Sequence, residues 1–236
     1  MTSIPGDMSQ SPSQPLPKPP SQLSRMWKGL REFTRRSPMA AFWGVVSIAI
    51  VIMAIAAPAI APLDPLKADF RAMGKRPIDG HMFGTDQIGR DTLSRVIHGS
   101  RTSLIVAISA VLLGTTLGSI WGLASVFLGG RFDIISQRII EFLQAFPDLI
   151  LAMAIAMAMG SGTLTVIIAI AVTRIPFGGR VIRSVVLSLK EMSFVEAARG
   201  LGASNLRIMA LHIMPQCIAP FLILATTHLG VAIIIE

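Results

Sequence analysis

Four stretches of the chain carry no Asp, Glu, Lys or Arg: residues 39–63, 102–130, 149–173 and 208–235, of 25, 29, 25 and 28 residues. A helix needs about 20 apolar residues to cross a bilayer. Runs of this length constrain the chain to a multi-span membrane protein. Composition agrees. Hydrophobic residues make up 52% and charged residues 14%, against about 25% charged in soluble chains. Aromatics are only 6%, so the apolar excess is aliphatic. These values exclude a disordered protein and argue against a soluble enzyme. The third run meets Gly160, Ser161 and Gly162, which read as a tight hairpin between spans of roughly 143–160 and 163–182. Five spans result. None has the form of a signal peptide: the first lies behind 38 residues and lacks a suitable small-residue cleavage site.

The chain carries a net charge of +8. In a membrane protein such a surplus marks loops held at the cytoplasmic face rather than nucleic-acid binding. With the N-terminus inside, fourteen of the 21 basic residues fall on or near the inner face and seven fall outside. The outer segment, 64–101, also holds five Asp, which leaves it a net charge of only +2. Residues 1–22 are rich in Pro, Ser and Gln and are expected to be disordered. Residues 24–36 form a basic, amphipathic lead-in, with Trp27, Leu30 and Phe33 at helical spacing. Such a segment can lie on the membrane surface. The organisation is therefore a cytoplasmic segment 1–38, a first span 39–63, an outer loop 64–101 and a core 102–236.

Between the fourth and fifth spans lies Glu196, Ala197, Ala198, Arg199, Gly200, Leu201, Gly202, followed by His212, Ile213, Met214, Pro215. Ser193 with Glu196 reads as a capping box that starts a short helix. Gly200 and Gly202 are expected to break that helix through φ > 0. Ser204 is placed to cap a second helix, and Pro215 to sit in the first turn of the fifth span. A helix-turn-helix elbow at about 190–215 follows. Its turn would offer the small residues Ala197, Ala198 and Ala203 to a partner. On local physics alone a plain connecting loop, with Glu196 serving only as a cap, is an equal alternative. The pattern E-A-A-x-x-x-G-x(9)-H-I-M-P resembles the EAA loop of permease subunits of binding-protein-dependent ABC importers. In that family the loop is the coupling helix that docks on a cytoplasmic ATPase. The resemblance carries that role to Glu196, Ala197, Ala198, Gly200, Gly202 and Pro215.

The outer segment contains Phe83, Gly84, Thr85, Asp86, Gln87, Ile88, Gly89, Arg90, Asp91, then Ser94, Arg95, Gly99, Arg101, Ser103 and Leu104. By itself this is a polar turn and a short helix against the outer membrane face. Ile88, Val96 and Ile97 would face lipid or protein, and Asp91 and Arg95 stand at pairing distance. A phosphate-loop reading fails, because Gly89 is followed by Arg and Asp rather than Lys and Ser or Thr. The stretch is similar to the dipeptide, oligopeptide and nickel permease branch, in its C-type subunit. Gly84, Thr85, Asp86, Gly89, Arg90 and Asp91 carry that likeness. The segments around Arg36, Ser37, Pro38 and around Pro58, Pro62, Pro65 agree, so it covers about residues 34–236. Gly129, Gly130, Asp133, Arg138, Glu141, Phe146, Pro147 and Asp148 resemble the family's inner loop between the second and third spans.

Three polar residues fall within the apolar core. Asp148 and Arg174 stand about five and six residues in from the inner ends of the third and fourth spans, roughly 8–9 Å deep at 1.5 Å per residue. The hairpin makes those spans neighbours. The two residues therefore pair, directly or through water, or else Arg174 snorkels or lines the pore. His228 stands mid-span, where a polar group usually faces the bundle or a water path. The four His residues show no metal-ligand spacing, and a single Cys excludes an internal disulfide.

The resemblance implies an all-α, polytopic helical bundle with the type I ABC importer permease fold, five spans present and the sixth missing. It implies a bacterial inner-membrane, multi-pass protein with a cytoplasmic N-terminus. Partners would be a homologous second permease, two cytoplasmic ATPases and an extracytoplasmic solute-binding protein, with no nucleic acid. The chain itself would be no enzyme and hold no cofactor, ATP and Mg being bound by the ATPases. Solutes of this branch include dipeptides, oligopeptides, nickel chelates, glutathione and opines. The alternative class, a stand-alone secondary transporter or channel, should show internal repeats and several mid-membrane charges. No clear repeat is visible. Since the family has a further outer loop and a sixth span, the sequence is expected to be a fragment or truncated product.

Overall fold

The computed structural model describes residues 22–236, all in helices, turns and loops. The segment expected to be disordered, 1–22, lies outside these residues except for Gln22. The chain divides into two units at Ala49 and Ile50. In the first, α1 (Gln22–Arg36) ends at Ser37, and α2 (Pro38–Ile55) begins at Pro38, whose missing N–H is harmless in a first turn.

In the second unit α2 stops at Ala56, and a single turn, α3 (Ala57–Ile60), follows with Pro58 near its start. α4 (Thr92–Leu128) is one unbroken helix of 37 residues. At 1.5 Å per residue it is about 56 Å long, well beyond the roughly 30 Å of bilayer hydrocarbon. The outer short helix and the second span, expected as separate elements, are thus a single helix. Nothing between Thr92 and Thr102 breaks it, because one glycine, Gly99, only weakens a helix.

α5 (Gly130–Gln144) and α6 (Asp148–Met159) are bent by 90° to each other. α6 begins at Asp148 because Pro147, with extended ψ, is its N-cap: the Pro147 carbonyl accepts the first helical bond, from the Leu151 N–H (3.0 Å). Its 12 residues span about 18 Å, too short to cross alone. The third span, expected as one helix over 143–160, is therefore a bent pair. Gly160 (φ +87°) and Gly162 (φ +152°) make the tight turn into α7 (Thr163–Lys190).

Among the described residues four stretches are long and apolar enough to cross a membrane: Pro38–Ile55, Thr92–Leu128, Thr163–Lys190 and Asn205–Ile235; α5 and α6 make a fifth if the bent pair crosses as one span. α4 and α7 form the central seam. Gly114, Gly118 and Gly122, one turn apart on α4, face the backbone carbonyls of Ala171, Ile175 and Gly179, and a Cβ on any of them would collide there. Close backbone approach through small residues is how membrane helices pack where lipid offers no hydrophobic drive. Val106, Ala107, Ala110, Val111, Ile170 and Ala232 bury a second contact among α4, α7 and the last helix.

After α7 come α8 (Ser193–Gly200) and α9 (Asn205–Ile208), then a wide π turn (Met209–Ile213), a 3₁₀ turn (Met214–Cys217) and α10 (Ile218–Ile235). Pro215 was expected in the first turn of the fifth span. The helical run instead begins at Asn205, and Pro215 lies inside it. The wide turn just before the proline accommodates its missing N–H and its ring.

Candidate functional site

The elbow at 193–208 is held by its apolar side and exposes the other. Val195, Ala198, Ile208, Met209, Ile213 and Cys217 are buried against Val126 of α4 and Ile182, Val186 and Leu189 of α7. Full burial of a side chain such as Val195 stabilises by about 1.5–3 kcal/mol relative to water. The outward side carries Glu196, Ala197, Gly200, Gly202, Leu206 and Leu201, the last 90% exposed. The Glu196 side chain makes no hydrogen bond or ion pair among the described residues.

Three details differ from the sequence expectation. α8 starts one residue early: Met192, in extended conformation, is its N-cap, and the N–H groups of Val195 and Glu196 donate to the Met192 carbonyl. Only Glu191 and Met192 separate α8 from α7, so Ser193 is already in the helix and the capping box does not form. Ala198 faces inward and Ala203 is half-buried, which leaves Ala197 as the exposed alanine. Gly200 is helical, and only Gly202 takes positive φ, +81°. The Ala203 N–H donates to the Ala198 carbonyl (3.0 Å) and the Gly202 N–H to the Arg199 carbonyl (2.9 Å). This pair of bonds is a Schellman stop with glycine at its left-handed position. Ser204 accepts from the Arg207 N–H (3.3 Å) and caps α9. Nothing lies within 4 Å of where a Gly202 side chain would begin, so the turn is open to an incoming surface.

The segment between α3 and α4 is a compact, self-bonded loop. Thr85 is buried, accepts from the Lys75 N–H (3.1 Å) and donates to the Ala72 carbonyl. Gly84 (φ +72°) and Gly89 (φ +83°) touch the backbones of Lys75 and Asp69, where a Cβ would clash. Asp86 accepts from the N–H groups of Ile88 (3.0 Å) and Arg90 (2.9 Å), from Arg90 Nε (2.8 Å) and from Arg95. Burial opposes its charge, but the Arg90 N–H and guanidinium and the Ile88 N–H outweigh it and hold the carboxyl at about 2.

Asp91 is 2% exposed. One oxygen caps α4 at the Ser94 N–H (2.8 Å) and the other meets His81 Nδ1 (3.0 Å). Burial again works against the charge, and the bonds from Ser94 and His81 keep this carboxyl below its usual range. The pairing expected between Asp91 and Arg95 does not form. Both Asp91 oxygens are taken inside the loop, and Arg95 turns to Asp86 instead. Ile97 is buried, while Ile88 and Val96 are exposed. The motif around Gly84 to Asp91 is thus occupied with its own backbone.

In the apolar core, Arg174 of α7 donates to Asp148 at the start of α6; the Arg174 side chain is 3% exposed and Asp148 36%. Arg174 Nε also donates to Thr173 Oγ1 (3.1 Å), and its guanidinium lies 5.3 Å from the Phe177 ring centre. Phe177 meets His228 edge-on at 5.6 Å, and the buried His228 Nδ1 has no partner among the described residues. Arg174 is too buried to snorkel.

A further ion pair, between helices, escaped the sequence. Arg183 of α7 holds Asp133 of α5 by two bonds, Nε to Oδ1 (2.8 Å) and Nη2 to Oδ2 (2.6 Å), and Ser125 of α4 donates to the same carboxylate. The partners are 50 residues apart. The only signal was two opposite charges near the ends of adjacent spans on the same side.

A family model described as "Binding-protein-dependent transport system inner membrane component" matches residues 114–235. The chain is similar to the Glutathione transport system permease protein GsiD of Escherichia coli O1:K1 / APEC, 36% identical over 223 residues, 94% of this chain and 73% of that one. It is also similar to the Dipeptide transport system permease protein DppC of Alkalihalophilus pseudofirmus (strain ATCC BAA-2126 / JCM 17055 / OF4), 32% identical over 231 residues, 96% of this chain and 75% of that one. A relative from Brucella suis biovar 1 (strain 1330) is 38% identical over 192 residues, 81% of this chain; those residues span 64% of the relative's length.

Proposed function

The chain belongs to the family of binding-protein-dependent transport system inner membrane components, and from that premise we propose that it is a permease subunit of an ATP-driven importer for short peptides or a related solute. It is a multi-pass inner-membrane protein, and its N-terminus lies in the cytoplasm. It contributes half of a translocation pore, the other half coming from a homologous permease. Two cytoplasmic ATPases bind ATP and Mg. An extracytoplasmic binding protein selects and delivers the solute. The names of the relatives support peptides, glutathione among them, as the solute class.

The observation that carries this reading is the elbow. Its apolar side is anchored on α4 and α7, while Glu196, Ala197 and the Gly202 turn are left free on the outward side. Anchoring makes the elbow move with the central seam, and the exposed small residues allow a second protein to approach closely. Closure of the ATPases on ATP would push the elbow, and the push would tilt α4 and α7 between inward- and outward-open arrangements. No chemical step belongs to this chain.

The test is uptake in cells or proteoliposomes with the ATPase's phosphate-loop lysine replaced. Uptake that stops while the complex still assembles supports the reading. Uptake that continues unchanged makes the chain an independent transporter or channel.

A further inference from the structure

Two of the three arginines of α7, Arg174 and Arg183, lie nine residues apart, about 13.5 Å along the helix, and each grips a carboxylate at the start of another helix. Arg174 holds Asp148, the first residue of α6, and Arg183 holds Asp133 in the first turn of α5. The two clamps differ. The second is bidentate, and Ser125 of α4 donates to it as well, so one carboxylate joins three helices. It also lies beside the elbow's core. Ser125 and Arg183 adjoin Val126 and Ile182, which are buried in the cluster that holds α8 and α9.

Among the described residues that cluster takes its α-helical partners from α4 and α7, with Phe221 of α10 packed against it, and from no residue of α5. α5 meets α7 through the Arg183 clamp and through Ile140, whose side chain packs on Gly179. An apolar contact is non-directional and slides. A guanidinium fork on a carboxylate fixes distance and orientation together. We infer that Asp133 and Arg183 are positioning residues, which carry movement of the elbow into α5. This rests on the coupling role proposed above for the elbow. The pair acts as a strut. When α7 shifts, α5 follows as one body, and α6 is drawn by the Asp148 contact. Without the strut, α4, α7 and the α6 that Arg174 ties to α7 would still respond to ATP, while α5 would lag.

The experiment uses the complete importer, purified with its own ATPase. Spin labels are placed at Ile120→Cys on α4 and Ile135→Cys on α5, both on exposed positions. Assembly, uptake and the label-to-label distance with and without ATP are measured for the parent, Asp133→Asn and Gly202→Val. The expected result for Asp133→Asn is parent-level assembly, uptake lower by about tenfold, and loss of the ATP-dependent distance change. Restoration by Asp133→Arg combined with Arg183→Asp is also expected. Parent-level uptake and distance change in Asp133→Asn overturn the strut. If that variant does not assemble, Arg183→Lys decides by the same two readouts, because it keeps the charge and loses the fork. Gly202→Val separates the two ideas. If it uncouples transport and Asp133→Asn does not, only the strut fails; if Gly202→Val is itself fully coupled, the elbow's role fails.

Discussion

Arg174 and Asp148 share an ion pair but not an environment: the arginine is sealed between helices, and the aspartate is more than one third exposed. Removing the two partners should therefore have unequal effects. Asp148→Ala leaves a buried guanidinium without its counter-charge, at a cost of about 3 kcal/mol. Arg174→Met leaves a carboxylate at a helix N-terminus, where the free N–H groups stabilise it, and should cost less. Thermal unfolding in detergent should show the lower Tm for Asp148→Ala. Asp148→Arg with Arg174→Asp should recover part of the loss. A double variant no more stable than either single change would show that the pair is incidental.

The loop between α3 and α4 should be acid-sensitive. Asp86 and Asp91 both have folded-state pKa values below the ordinary 3.8, Asp86 at about 2. Their contribution to the loop is then fully present above 3.8 and is lost as pH falls from there toward 2. Protease cleavage within residues 64–91 should stay slow from neutral pH down to about 4 and accelerate below it. Asp91→Asn should raise cleavage even at neutral pH, because it weakens the cap on α4. Cleavage that does not change down to pH 2 would contradict the assignment.

The sequence made the spans, the hairpin at Gly160 and Gly162, and the elbow legible because each rests on local chemistry. Charge-free runs need only be counted, and the Gly202 stop needs only its own turn. Ser204 capped as its residue type suggested. What failed was decided elsewhere in the fold. Pro147 and the bend at α5 shortened the third span, which hydropathy cannot register. The early start of α8 depended on how α7 ended. Asp91 and Arg95 had the spacing to pair, but His81, ten residues upstream, had claimed the carboxylate. The clamp of Asp133 by Arg183 required knowing that Gly114, Gly118 and Gly122 bring α4 and α7 together. Small residues in one helix do not say which helix they will meet.

Gly202 offers a graded test of the elbow. At φ +81° a β-branched side chain is strained by about 1–3 kcal/mol, while Asn tolerates this region far better than other side chains. Uptake should fall in the order Gly, Asn, Val, with insertion and subunit amount unchanged. Binding-protein stimulation of the ATPase should fall in the same order. If Gly202→Val transports and stimulates normally, the turn is not part of the docking surface.

The most direct measurement is cross-linking from the elbow itself. Ala197→Cys lies on the exposed side of α8, and the chain's own Cys217 is buried. A photoreactive maleimide on that cysteine, activated in the assembled complex, should join the chain to the ATPase subunit, with a yield that changes when ATP is added. The same probe at Met82→Cys, exposed in the loop proposed to lie on the opposite side of the membrane, should give no ATPase adduct. An intact complex with no adduct from position 197, or equal adducts from positions 197 and 82, would contradict the proposal that the elbow is where ATP hydrolysis is coupled to transport.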